Sequence, residues 1–256
     1  MSELEIETTL AICTDSPDLI VSEVENLSEV GKYRLTPRPD MEIRDVYFEL
    51  PERRLRSIGC GLRLRVVDGV QLITLKGRAE DIAGGGLSRE EIELAWSLES
   101  MDIILARLAE LGLTLTPPDS TSEWHDPHSI VSQMGFVVDQ TRSTIRRPRE
   151  VTDSVSTAAV AELAIDSVVY HLQFGAVRHH EIEVEAKGGG TIEIIQEVSN
   201  ALLACWPDSL RAWHFGKRST SRAVDSLVAE RGPSGIISAS GDLLPGAYDL
   251  IRSRSR

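Results

Sequence analysis

The sequence predicts an α+β fold: an antiparallel β-sheet closed into a tunnel around a charged lumen, with helices packed on its apolar outside. Three observations carry this expectation. Several segments alternate charged and apolar residues with a period of two, the signature of strands with two chemically distinct faces. The charged faces are of both signs: acidic at Glu5/Glu7, Glu91/Glu93, Glu162/Asp166 and Glu181/Glu183/Glu185, basic at Arg63/Arg65, Lys76 and Arg142/Arg146. Amphipathic helical segments are available to cover the apolar faces. An open sheet with one wet face explains the alternation equally well, but not why so many long ionic side chains have paired spacing. Burial of such charges costs several kcal/mol per ion unless each is paired or meets a ligand. A lumen of unpaired arginines and carboxylates therefore implies a polyanion gripped by the cations and a divalent metal held by the acids.

In chain order, residues 3–12 form a strand with Glu3, Glu5 and Glu7 on one face and Leu4 and Ile6 on the other. Ser16-Pro17 reads as an N-cap followed by proline at the first helical position, opening a helix over about 17–30 that Gly31 stops. Residues 43–50, rich in β-branched and aromatic side chains, form a strand ended by Pro51. Gly61 to Val66 places Arg63 and Arg65 on one face, Asp68-Gly69 signals a hairpin, and the return strand to Gly77 places Thr74 and Lys76 together. Gly84-Gly85-Gly86 lacks a following Gly-Lys-Ser/Thr and reads as a connector rather than a phosphate loop. Beyond it, Arg89, Glu91 and Glu93 share a strand face.

Ser97 or Ser100 caps a helix running to Leu111, with Gly112 as its stop. Residues 114–129 read as a polar loop, in which His125-Asp126-Pro127-His128 is solvated rather than metal-binding. A strand over 136–147 carries Gln140, Arg142, Thr144 and Arg146 on one face, and another over 161–169 carries Glu162, Ala164 and Asp166. In Glu181-Ile182-Glu183-Val184-Glu185 three carboxylates share a face, each roughly 6.5–7 Å from the next. Water screens such a row on an open sheet; inside, a metal cation or a cationic partner must. Gly188-Gly189-Gly190 turns the chain into a helix over about 191–204, and a last element spans Lys217 to roughly Arg231. These boundaries give one domain over 1–231 and a mobile tail over 232–256.

The 256 residues suffice for one large domain with a substantial core. A net charge of −13 argues against a general nucleic-acid binder while leaving room for a small anion in a locally basic cavity. Cys13, Cys60 and Cys205 lie far apart, which fits a reducing cytoplasm and neither a disulfide framework nor a zinc site. The N-terminal residues lack a basic-then-apolar leader pattern, and no apolar run approaches the roughly 20 residues of a membrane span.

In order along the chain, Glu5-Ile6-Glu7, Asp45-Val46-Tyr47-Phe48-Glu49, Leu62-Arg63-Leu64-Arg65, Thr74-Leu75-Lys76-Gly77, Arg89-Glu90-Glu91, Glu162-Leu163-Ala164-Ile165-Asp166 and Glu181-Ile182-Glu183-Val184-Glu185 resemble the motifs of the CYTH domain, the triphosphate tunnel metalloenzyme superfamily. The resemblance covers about residues 3–228 and is closest in look to the inorganic triphosphatases; thiamine triphosphatases and class IV adenylyl cyclases are related. It implies eight antiparallel strands, a substrate triphosphate along the tunnel axis, and Mg²⁺ or Mn²⁺ on the acidic side. By position it implies that Arg63, Arg65, Lys76, Arg142 and Lys217 bind phosphate oxygens and that Glu5, Glu7, Glu183 and Glu185 ligate metal. Glu91, Glu162, Asp166 and Glu181 are further acidic tunnel residues. Thr9 and Gln140 stand where the family pattern has lysine. The implied activity is a metal-dependent hydrolase of triphosphate compounds in the cytoplasm. The alternatives are a non-catalytic tunnel binding a triphosphate, polyphosphate or nucleotide, and a cyclase, for which no base-recognition motif is visible.

Overall fold

Period-two burial runs through the strands and a helical period through the segments that cover them. The computed structural model describes residues 3–82, 86–116, 126–153 and 158–254. The elements are β1 (Glu3–Ile12), α1 (Pro17–Glu25), β2 (Glu29–Val30), β3 (Tyr33–Pro37), β4 (Met41–Glu49), a 3-10 turn into α2 (Arg54–Ser57), β5 (Gly61–Val67) and β6 (Val70–Lys76). They continue with β7 (Glu80–Ile82), β8 (Gly86–Ala95), α3 (Leu98–Glu110), α4 (Pro127–Gln133), β9 (Val137–Asp153), β10 (Ala159–Leu172) and β11 (Gly175–Ala186). The chain then runs through α5 (Ile192–Cys205), β12 (Leu210–Ala212), α6 (Lys217–Arg231) and α7 (Pro245–Ser253). Hydrogen-bonded neighbours run β10-β11-β1-β8-β6-β5-β4-β9, and β9 also pairs β10, so the order returns to its start. That is the strand order of a closed eight-stranded antiparallel barrel, as predicted.

Two compact units divide the chain. The first comprises Met1–Leu4, Glu42–Glu80 and Arg89–Thr141. Its β5–β6 hairpin turns at Asp68 (φ 48°) and Gly69 (φ 85°), the paired left-handed residues of a tight two-residue turn. Leu62, Leu64, Ile73 and Leu75 bury their side chains with Met101, Ile104 and Leu108 of α3 and Ile130 and Val131 of α4. The cap of α3 is Ser97, whose Oγ accepts from the Ser100 N–H at 3.0 Å. The expected polar loop is shorter than 114–129: the Asp126 carboxylate accepts from the backbone N–H of His128 and Ser129, and Pro127 opens α4. His125 lies outside the described residues, as do Gly84 and Gly85.

The second unit comprises Glu5–Met41, Asp81–Ser88 and Arg142–Arg256. On one face of β1, β10 and β11, Leu10, Ile12, Leu163, Ile165, Ile182 and Val184 pack against α1 and α5. On the opposite face of β1 and β11, Ala11, Cys13 and Val177 pack against α6 and α7. Those last two helices therefore share the face that carries the carboxylates. Gly190 is required where β11 leaves for α5, because a Cβ there would stand 1.8 Å from the Val160 carbonyl oxygen.

Two expectations are corrected here. The first helix ends at Glu25, and Glu29–Val30 pairs instead with Tyr33–Arg34 around Gly31 (φ 58°), whose left-handed backbone suits a hairpin. The tail expected to be mobile is folded over its described residues, to 254: Arg178 N–H donates to the Gly241 carbonyl at 2.8 Å, and Leu243 N–H donates to the Arg178 carbonyl at 2.9 Å. Pro245 then opens α7, which buries Ala247, Tyr248 and Ile251. That apolar face supplies the burial that the Gly/Ser-rich stretch before it lacks. Among the described residues no helix is long and apolar enough to cross a membrane.

Candidate functional site

In the first unit, strand register sets ions of opposite sign side by side. Asp45 pairs Arg65 across β4–β5, Tyr47 pairs Arg63, Thr74 of β6 lies between Arg63 and Glu93, and Lys76 pairs Glu91 across β6–β8. Arg63 is 2% exposed. Its guanidinium donates to Glu93 at 2.9 Å, Glu91 at 3.2 Å, the Thr74 hydroxyl at 3.2 Å and the Tyr47 hydroxyl at 3.3 Å. Arg65 holds Asp45 through both carboxylate oxygens, at 2.7 and 3.2 Å. Lys76 pairs with Glu91 at 2.7 Å. Burial works to lower the Arg63 pKa, but Tyr47, Asp45, Glu91 and Glu93 outweigh it and hold it raised. Burial pushes Glu93 upward, and Arg63 and Arg65 overcome it, leaving its carboxyl below the ordinary value.

In the second unit a buried knot forms on β9, β10, β11 and α6. Arg146 donates to Asp166 Oδ1 at 2.9 Å and Oδ2 at 2.6 Å, and also to Glu183. The Lys217 ammonium, at the first position of α6, lies 2.9 Å from Asp166 Oδ2 and 2.5 Å from Glu183 Oε1, and pairs with Glu181. The second oxygen of Glu181 accepts from His179 Nε2 at 2.8 Å. Burial opposes the charge on Lys217, yet Asp166, Glu181 and Glu183 hold its pKa raised. Burial likewise pushes Asp166 upward, and Arg146 and Lys217 reverse it to a lowered value.

Beside the knot runs a row of like charge. Glu162 of β10 pairs Glu185 of β11, which in turn pairs Glu7 of β1. Directly opposed strand partners have Cβ atoms about 4.5–5.5 Å apart, where like charges destabilise. Glu185 feels it: burial raises its carboxyl above the ordinary value, with Glu5 and Glu162 adding to the rise against the Lys187 contact at 2.6 Å.

Of the residues expected at the site, Arg63, Arg65, Lys76 and Glu91 come together in the first unit, and Asp166, Glu181, Glu183 and Lys217 in the second. Glu7, Glu162 and Glu185 form the row, and Glu5 lies near enough to act on Glu185. Arg142 is buried on β9. The expectation of unpaired interior ions is corrected: Arg63, Arg65, Lys76, Arg146 and Lys217 each pair with carboxylates of their own unit. Sequence reasoning left Arg146, Asp45, Glu93, His179 and Tyr248 without roles. The first three had a readable signal in their alternation with Arg142, Tyr47 and Glu91; the last two had none.

The residues fit a hard divalent cation by their donor chemistry. Among the described residues, Asp166, Glu181 and Glu183 place carboxylate oxygens within 4.8 Å of one another, and oxygen donors of this kind suit Mg²⁺ or Mn²⁺. Lys217 and Arg146 pair with that trio, two positive charges against three negative. The adjacent carboxylates of Glu7, Glu162 and Glu185, with Glu5, extend the donor set.

The family model of the CYTH domain matches residues 19–202. A structure from Hippeastrum, described as an adenylyl cyclase, HpAC1, with a dominant triphosphatase activity, is 18% identical. The alignment covers 86% of this chain and 95% of that one, with a TM-score of 0.54. The PH1819 protein from Pyrococcus horikoshii OT3 is 15% identical over 89% of this chain and 99% of its own, with a TM-score of 0.47. A structure from Bacillus halodurans described as an adenylate cyclase is 18% identical over 84% and 96%, also with a TM-score of 0.47. At 18% identity the likeness to the Hippeastrum structure is one of fold. A comparison with curated proteins finds no match.

Proposed function

This chain belongs to the CYTH domain family, and we propose that it is a metal-dependent hydrolase of small triphosphate compounds, inorganic or organic, acting in the cytoplasm. The observation that carries this reading is the juxtaposition, within the second unit, of the Glu162–Glu185–Glu7 row with the Asp166/Glu181/Glu183 knot. Such a face gathers carboxylate oxygens from neighbouring strands, the donor set that a hard divalent cation takes. Glu5, Glu7, Glu183 and Glu185 would hold Mg²⁺ or Mn²⁺, which when bound supplies Lewis acidity toward phosphoryl oxygens. Arg63, Arg65, Lys76, Arg142 and Lys217 bind the phosphate chain. Arg63 and Arg65 offer planar forks that match phosphate oxygens as they now match carboxylates, and they stabilise charge that develops as the terminal phosphoryl group departs. Each grip exchanges a carboxylate for a phosphate, so affinity is the difference between two charge-assisted bonds.

That exchange favours a second reading, a tunnel that binds a triphosphate without turning it over. Thr9 and Gln140 add to it, since each is a neutral side chain on a charged strand face. One matrix of substrates (tripolyphosphate, thiamine triphosphate, ATP) against Mg²⁺, Mn²⁺ and chelator separates the readings by product. Orthophosphate released only with metal supports the hydrolase; a cyclic nucleotide means cyclisation; saturable binding without product supports the second reading. Neither binding nor turnover with any of the three overturns both.

A further inference from the structure

We propose that helix α7 belongs to the site: Tyr248, acting through His179, is a positioning residue for Glu181 and hence for the Lys217 ammonium. The inference rests on the phosphate-binding role proposed for Lys217.

Three carboxylates hold the ammonium, and each has a second oxygen to be fixed. Arg146 holds those of Asp166 and Glu183. Glu181 is held differently, by His179 Nε2 at 2.8 Å, and the His179 Nδ1 lies 3.1 Å from the Tyr248 hydroxyl. His179 is fully buried and Tyr248 is 2% exposed. The direction of the chain follows from donor chemistry. A carboxylate only accepts, so Nε2 carries the hydrogen; in the neutral imidazole Nδ1 is then an acceptor, and the tyrosine O–H donates to it. Burial holds the Tyr248 pKa well above its ordinary value, so the hydroxyl keeps its proton. Glu181 is thus held from two sides, by the imidazole's hydrogen bond and by its ion pair with the ammonium.

The imidazole is also fixed in plane. The Tyr170 ring lies near-parallel to it at 6.0 Å, and the Tyr248 ring is tilted against it at 5.7 Å. The segment before α7 is bonded to the main chain of Arg178, the residue next to His179, and the Arg178 side chain pairs with Asp242 at 2.8 Å. An ammonium that turns from carboxylates to an incoming phosphate needs those carboxylates to stay behind. Arg146 retains two of them, and the Tyr248–His179 pair retains the third.

Tyr248→Phe removes the hydroxyl alone, so it is the variant of choice, and two readouts test it. Without any phosphate ligand, acylation of Lys217 by acetic anhydride, followed by mass spectrometry against Lys32 as internal reference, should rise about 2- to 10-fold, the span of one lost hydrogen bond. The melting temperature should stay within about 4 °C of the parent, the shift of roughly 1 kcal/mol in a chain of this size. With tripolyphosphate as probe, Tyr248→Phe should weaken binding by a similar factor in the parent and have no effect in a Lys217→Met background. Unchanged Lys217 reactivity overturns the inference, as does an equal loss of affinity in both backgrounds. A parent that fails to bind tripolyphosphate removes the proposed phosphate role while the acylation readout still decides whether Tyr248 sets Lys217. If Tyr248→Phe lowers stability more than expected, His179 nitrogen shifts in the folded parent decide: protonation at Nδ1 rather than Nε2 overturns the chain.

Discussion

The two charged clusters are built from the same strand pattern and end in different electrostatic states. In the first unit, Arg63, Arg65 and Lys76 meet Asp45, Glu91 and Glu93, cation for anion. In the second, Arg146 and Lys217 meet Asp166, Glu181 and Glu183, and the row of Glu7, Glu162 and Glu185 stands beside them. Alternation alone does not decide between these outcomes. Register does, by choosing which charges become cross-strand partners: Asp45 opposite Arg65 in one unit, Glu162 opposite Glu185 in the other. Under the proposed function, the balanced cluster would trade carboxylates for phosphate and the acid-rich one would take the cation.

The largest effect that would break this contrast is removal of one central cation from each cluster. Lys217→Met and Arg63→Met each strip a buried ion of its partners' compensation and should cost about 3–5 kcal/mol in urea unfolding. Added Mn²⁺ should recover much of the loss in Lys217→Met and little in Arg63→Met. Equal recovery in both would erase the difference between the clusters.

A smaller effect tests the trade of carboxylate for phosphate. Glu93→Gln releases Arg63 and Thr74 from an ionised partner, so tripolyphosphate affinity by calorimetry should tighten about tenfold, the equivalent of one charge-assisted bond. Unchanged affinity would mean that Arg63 does not reach the phosphate.

The pH dependence should run in opposite senses in the second unit alone. Asp166 has a folded pKa below its ordinary 3.8, so its contribution is present above that value and is lost as pH falls through the lowered one. Glu185 has a folded pKa above its ordinary 4.5, so its contribution is present below that value and is lost as pH rises through the raised one. In chelator, Asp166→Asn should therefore flatten the acid limb of the stability curve, and Glu185→Gln should raise stability on the neutral side. A neutral-side loss in Glu185→Gln would contradict the like-charge row.

The smallest effect is Thr9→Lys. Thr9 pairs Glu183 across β1–β11, so a lysine there adds a cation to the acid-rich face and should stabilise the metal-free protein by about 0.2–1 kcal/mol. A lower melting temperature would show that the position cannot lodge a charge.

Much of the barrel was legible because local chemistry dictates it. The alternation at Arg63/Arg65 and Glu181/Glu183/Glu185, the Asp68-Gly69 turn and the stop at Gly112 each act over a few residues. The site was legible as a list of charges but not as pairs. Arg142 and Arg146 share a face in the sequence, and only the register of β9 with β10 sets Arg146 on Asp166. The capping of α4 by Asp126 was hidden in a Thr- and Pro-rich stretch. The fold of the tail was missed because the Gly- and Ser-containing stretch after residue 231 masked the short apolar face of α7. His179 and Tyr248 carry no pattern at all; their meaning arises from contact between segments some 70 residues apart.

The pairing of β1 with β11 also orders events in time. Asp45 meets Arg65 and Arg63 meets Thr74 through short hairpins, so the arginine-bearing strands can pair as soon as they are made. Glu7 must wait for Glu185, roughly 180 residues later, and loop closure over that length is slow. During synthesis from the N-terminus this strand can pair β8 but keeps its other edge open, and its glutamates are charges that discourage wrong partners while it waits. The same carboxylates that crowd the finished row act, before it exists, as gatekeepers against aggregation.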